Sequence, residues 1–261
     1  MLENRESVES GTSRRTFLTG AVLAGLAAAA LPNAVDASGR PIFHIVNDPD
    51  SGDFHEFPGR TVDEKILNYA LTLETLEADL YRQALNLASG KPLTTPLDTN
   101  GSSYTLSIDP GGLSASKAAV GFGYLVQFAA VEAAHRDFLA SAITADGGTP
   151  VSPNPGGYQA DLGTDLQQIL EVIRNVEETG VRAYLGAAQF IKNLHTLQTA
   201  ATIYSTEARH AAVINWVIGL PIGPSRERLD SVAVFDEHGD NNFEHWQTPK
   251  QILRTVAPFI A

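Results

Sequence analysis

The sequence predicts an all-α fold, a four-helix bundle with a long crossover between its second and third helices, on three observations. Glu-x-x-His occurs twice, at Glu132–His135 and Glu207–His210, each time midway along an apolar stretch of helical periodicity. The three-residue spacing turns carboxylate and imidazole to the same face of a helix. Two further helical stretches each carry a glutamate, Glu74 and Glu177, followed two turns later by Tyr81 and Tyr184. A segment rich in proline and glycine, Gly147 to Gly163, divides the first two stretches from the second two.

The elements follow in order. From Val62 to Leu87, Leu67, Ala70, Glu74, Glu77 and Tyr81 share one face at helical spacing. Residues 88–113 break that pattern with Gly90, Pro92, Pro96, Gly101 and Pro110-Gly111-Gly112, and Tyr104–Ile108 is expected to form a short strand there. Ser114 or Ser116 caps a second helix running to about Ala145, whose inward stripe is Leu125, Phe128, Ala129, Glu132, His135 and Leu139. The crossover from Gly147 to Gly163 reaches about 3.3 Å per residue when extended, enough to travel the length of a bundle. A third helix is expected from Thr164 to Phe190, with Leu170, Ile173, Glu177 and Tyr184 aligned. A fourth runs from Leu194 to Gly219 with Ile203, Glu207, His210, Ile214 and Val217 aligned, ended by Pro221 and Pro224. The bundle therefore occupies residues 61–219, preceded by an irregular lead-in at 38–60. An extension at 220–261 follows, whose segment Pro249–Phe259 suits a short outer helix.

The four helices form an internal repeat. Leu73-Glu74 with Tyr81 matches Val176-Glu177 with Tyr184, and Glu132-Ala133 with His135 matches Glu207-Ala208 with His210. Four inward carboxylates, with an imidazole one turn beyond two of them, can bridge and terminate two metal ions. Four negative charges neutralise two divalent cations, which removes most of the penalty for burying them. The metal-free alternative is a pair of buried ion-paired networks. The chain has no cysteine, so thiolate zinc sites, iron–sulfur clusters and disulfides are excluded. Mixed oxygen and nitrogen ligation suits iron or manganese better than zinc. Tyr81 and Tyr184 are either core aromatics or hydrogen-bond donors to a carboxylate of the facing helix. Glu77 is either a seventh ligand or a support for the ligands, and Glu178 is expected to face solvent. Gly180 takes the place in the repeat that Glu77 fills, for close helix packing or to leave an open position beside the metals.

The net charge of −12 argues against nucleic acid or an anionic membrane as partner. The cluster Asp236, Glu237, His238, Asp240, Glu244 and His245 lacks helical register and reads as a solvated loop. Asn47–Asp53 reads as a turn, because the bidentate glutamate of a calcium loop is missing.

Two resemblances add to this. Ser13-Arg14-Arg15-Thr16-Phe17-Leu18, the apolar run from Ala21 to Ala30 and the small residues near Ala37 resemble a twin-arginine export signal. It implies a signal peptide at 1–37, passage through the twin-arginine machinery in the folded state, and a periplasmic or otherwise exported protein with no stable membrane insertion after cleavage. Glu74, Glu132, His135, Glu177, Glu207 and His210 resemble the ligand set of the ferritin-like superfamily. The segments Leu71–Tyr81 and Val176–Tyr184 are similar to its exported, desiccation-related group. That likeness implies a centre of two iron or manganese ions acting on O2 or peroxide in oxidative or desiccation stress, of ferroxidase or peroxidase type. The alternatives are a protective, metal-sequestering protein without turnover and, third, a manganese-catalase-like enzyme. A homo-oligomer fits either, although the long first connection departs from the compact ferritin pattern and argues against a storage shell.

Overall fold

The computed structural model describes residues 54–223, 244 and 246–260. The export signal, most of the lead-in, the Asn47–Asp53 turn and all of the acidic tail cluster except Glu244 lie outside the described residues. Four long helices form the bundle: α1 (Val62–Ala88), α2 (Ala115–Ala145), α3 (Leu166–Ala188) and α4 (Leu194–Ile218). A short α5 (Pro249–Val256) runs into a single 3-10 turn at Ala257–Phe259.

Each helix begins where a short polar side chain can take up a free backbone N–H. Thr61 accepts from Glu64, Ser114 from Lys117, Asp165 from Gln168, and Asn193 from both His195 and Thr196. Ser114 rather than Ser116 is the cap of α2. α5 opens with a reciprocal box between Thr248 and Gln251. α4 stops one turn before the prolines expected to end it, at Gly219, whose φ of 82° is the left-handed conformation glycine adopts without strain.

α1 packs chiefly on α2 and α3 on α4, and the two pairs meet mainly through α1 and α3. The crossover is held on its way back. Asn68 receives the N–H of Val151 at 2.8 Å and donates to Thr149, and Gln83 donates to the carbonyl of Tyr158. Gln159 then donates its N–H to the carbonyl of Phe259 at 2.8 Å, so the crossover and the last turn of the chain are tied together.

Two expectations are corrected. Tyr104–Ile108 is not a strand: the segment has no ladder partner among the described residues. Ser107 and Ile108 both bond the carbonyl of Ala88, and Asp109 makes one isolated bridge to Asp165. The alternating pattern instead reflects anchoring, with buried Tyr104 receiving the N–H of Asp98 at 3.0 Å. Glu178 does not face solvent. It is 5% exposed, accepts from Asn215 of α4 at 3.4 Å and lies 3.9 Å from Arg174. α3 is covered by α1 and α4, and by α5 as well, so little of its middle meets water.

Candidate metal centre

Each inward glutamate sits in the middle of its helix, where backbone N–H and C=O groups are already paired and cannot satisfy a side chain. Glu74, Glu132, Glu177 and Glu207 are each 0% exposed. The structure brings all six residues of the predicted set together. Ligand atoms of Glu74, Glu132, His135 and Glu207 all lie within 4.8 Å of one another, and so do those of Glu132, Glu177, Glu207 and His210. Glu132 and Glu207 belong to both groups. Glu132 places one oxygen 3.0 Å from Nδ1 of His135 and the other 2.8 Å from Nδ1 of His210.

The two tyrosines act crosswise. Tyr184 of α3 donates to Glu74 of α1 at 2.6 Å, and Tyr81 of α1 donates to Glu177 of α3. Burial beside carboxylates pushes both phenols upward, so both stay protonated as donors. Each fixes one oxygen and leaves the other facing the cluster.

Those other oxygens are the informative ones. Oε2 of Glu74, Oε1 of Glu132, Oε2 of Glu177 and both oxygens of Glu207 are buried, and beyond the two imidazoles no donor reaches them. Buried carboxylates without partners cost several kcal/mol each by order of magnitude, so such groups take up protons or hold cations. Burial, then the neighbouring carboxylates, lifts Glu177 and Glu207 well above the usual range. Burial likewise brings Glu74 up to about 7. Glu132 goes the other way, down to about 2, because its bonds to His135 and His210 outweigh its own burial. The His135 imidazole is pushed up to about 12, since Glu132, Glu207 and Glu74 outweigh the effect of burial. A cluster that forces protons onto its carboxylates and draws one onto an imidazole has the electrostatics of a cation site. Buried carboxylate oxygens that only imidazoles reach, joined by two imidazole nitrogens, fit a metal site.

Glu77 points to the same core. It is 3% exposed, and Oε2 is buried without a partner. Its carboxyl is pushed well up by burial and by Glu207. It does not join either ligand group, and instead lies against Gly180. A Cβ on Gly180 would stand 3.0 Å from Oε2 of Glu207 and 3.1 Å from Oε1 of Glu77, so the missing side chain makes room for two carboxylates rather than for a helix backbone.

The halves differ in two ways that the repeat did not reveal. His210 is buried, with Phe128 stacked on it at 3.8 Å between ring centroids, whereas the His135 side chain is 15% exposed. Phe128 was legible only as part of the α2 stripe; its place one turn before Glu132 was the available signal.

No curated protein matches this chain. The model of the ferritin-like domain family matches residues 62–220, which is more than half of the chain and contains all six residues. The chain belongs to the ferritin-like domain family.

Proposed function

We propose that this protein is an exported carrier of two iron or manganese ions, held by Glu74, Glu132, His135, Glu177, Glu207 and His210, and that it performs redox chemistry with O2 or peroxide. The observation that supports it is the convergence of carboxylates from four helices, each with a buried oxygen that no donor other than an imidazole reaches, around two imidazole nitrogens. When bound, the metal pair supplies electrons to the oxidant. The chain's own residues do the rest. Glu132 and Glu207 span both halves of the site, Tyr81 and Tyr184 hold the outer carboxylates in register, and the apolar walls keep water away. Ferroxidase or peroxide-removing activity under oxidative or desiccation stress is the role this suits.

The test is metal analysis of the full chain purified from its own exported compartment, followed by O2 and H2O2 consumption after anaerobic loading with ferrous or manganous ion. Two metals per chain and metal-dependent consumption are expected. Tight metal binding with no consumption of either oxidant would establish the second reading, a sequestering protein, which the near-complete burial of the carboxylates favours. Export rests on the twin-arginine resemblance. Replacing Arg14 and Arg15 with Lys should leave folded precursor in the cytoplasm, and normal export of that variant refutes the address.

A further inference from the structure

The four helices are not equally covered. α1 has no exposed residue after Val62, because the crossover runs along it, and α3 has none after Asn175, where α5 packs on it. α2 and α4 are the outward pair, and the face they share is apolar. From Ala118 to Ala134 no exposed or half-buried residue of α2 is charged. Lys117 of α2 lies over the ring of Trp216 of α4, so the two helices present one surface at this end. Trp216 is 49% exposed there, and Phe138 is 50% exposed at the far end of α2.

The outward residues of α2 recur in steps of three and four. Lys117, Val120, Tyr124, Gln127, Val131, Ala134 and Phe138 form a heptad seam, the pattern by which one helix packs on another. This seam is complementary to its own reverse. Turning the helix about Gln127 sets Lys117 opposite Asp137, Val120 opposite Ala134, Gly123 opposite Val131 and Tyr124 opposite Ala130. Each pair matches a cation with an anion or a larger side chain with a smaller one. Asp137, beside Arg136, keeps a side chain that is 69% exposed. Gln127 is exposed, and its amide both donates and accepts, so it can bond a second Gln127. A lone polar residue within an apolar seam is also what fixes register.

We propose that the α2/α4 face is the interface between two copies of this chain, an antiparallel two-fold dimer centred on Gln127. The area suits it. From Lys117 to Phe138 the seam runs roughly 32 Å at 1.5 Å per residue, and two packed helices are about 20 Å wide. That gives on the order of 600 Å² before side-chain relief is counted, close to the roughly 800 Å² per partner of a stable interface. It is also at the upper limit of what a monomer leaves contiguous and apolar. The two-fold brings Phe138 to the end of the face where Trp216 of the second copy stands, so each exposed aromatic gains cover. The dimer also reaches the centre. The His135 side chain is 15% exposed and lies among Val131, Ala134 and Phe138 at helical spacing, so a second copy seated on those residues closes its edge to water.

The test is sedimentation of the full chain at micromolar concentration, together with cross-linking. Wild type should sediment as a dimer. Val120→Lys and Ala134→Glu should each raise the dissociation constant about ten-fold or more, while the double variant should recover the dimer, because the two-fold sets each lysine against a glutamate. The chain has no cysteine, so one introduced thiol reports proximity without competition. Gln127→Cys should form a disulfide-linked dimer on oxidation with diamide, and Thr105→Cys, exposed in the first connection, should not. A monomeric wild type, the result if another segment of this chain or a different protein covers the face, overturns the inference. So does a dimer that survives both single variants, a folded double variant that stays monomeric, or a dimer whose Gln127→Cys form does not cross-link. Should the double variant fail to fold, the single variants and the cysteine decide. None of the altered residues is in the predicted ligand set, so metal content stands apart from every outcome.

Discussion

Phe128 lies nearly flat on His210, with 24° between the ring planes. The same position in the other half of the repeat is Ile203, which cannot stack on His135. The two imidazoles, equivalent in sequence, are thus unequal in surroundings. One is clamped in the core and the other reaches water.

That inequality predicts unequal losses. His210→Ala should lower metal retention more than His135→Ala, each by about ten-fold or more, the scale seen when a residue supporting a metal site is removed. Changes at His238 and His245 should leave metal content unchanged. Metal-to-protein ratios after dialysis against a weak chelator check this, and equal loss from the tail variants would refute the assignment.

Phe128→Ala should cost about 3 kcal/mol of stability, as for other large aromatics removed from a core, and Phe128→Leu about 1 kcal/mol. If the ring also orients His210, the metal-induced gain in stability shrinks in both variants. Chemical denaturation with and without metal separates the two effects.

Tyr184→Phe leaves one more oxygen of Glu74 buried without a donor, which should cost about 1–3 kcal/mol in the metal-free protein. Tyr81→Phe should act alike on Glu177. Bound metal should reduce both penalties, because the cation then satisfies the carboxylate. Paired melts in metal and in chelator measure the difference.

Protons and metal compete for the same oxygens. Glu74 is raised from 4.5 to about 7 in the metal-free protein. Its folded-state value lies above its unfolded value, so the stability it contributes is present below pH 4.5 and is lost as pH rises toward 7. Glu177 and Glu207 shift in the same direction. The metal-free protein should therefore weaken as pH rises across this window, while the metal-loaded protein should strengthen. Metal uptake near neutral pH should release protons, measurable with an indicator dye. Loading without proton release would contradict the burial of the carboxylates.

Gly180→Ala should be nearly neutral. The helix gains about 1 kcal/mol in propensity, offset by a contact at 3.0 Å from Glu207. Gly180→Leu has no such room. It should displace the Glu77 and Glu207 carboxylates and lower metal content, where simple helix crowding would reduce stability and spare the metal.

The bundle and the convergence of its carboxylates were legible because a glutamate on an apolar stripe contradicts the stripe unless something receives it. Glu74, Glu132, Glu177 and Glu207 each stand out for that reason. Glu178 was not legible. Its burial comes with Asn215 of α4, a partner 37 residues downstream, and with Arg174, and no local pattern carries that information. Tyr104–Ile108 misled in the opposite sense, since its alternation is β-like but no strand among the described residues lies beside it.

The crossed bonds, Tyr184 to Glu74 and Tyr81 to Glu177, also act as a gauge of alignment. Each joins one half of the chain to the other, and the two run in opposite senses along the same pair of helices. A slip of α1 against α3 by one turn, about 5.4 Å, breaks both together and carries Glu74 and Glu177 out of reach of their imidazoles. Metal ions would be received only by a bundle whose halves have already met in the correct phase. Occupancy of the centre is in that sense a certificate of the assembled fold.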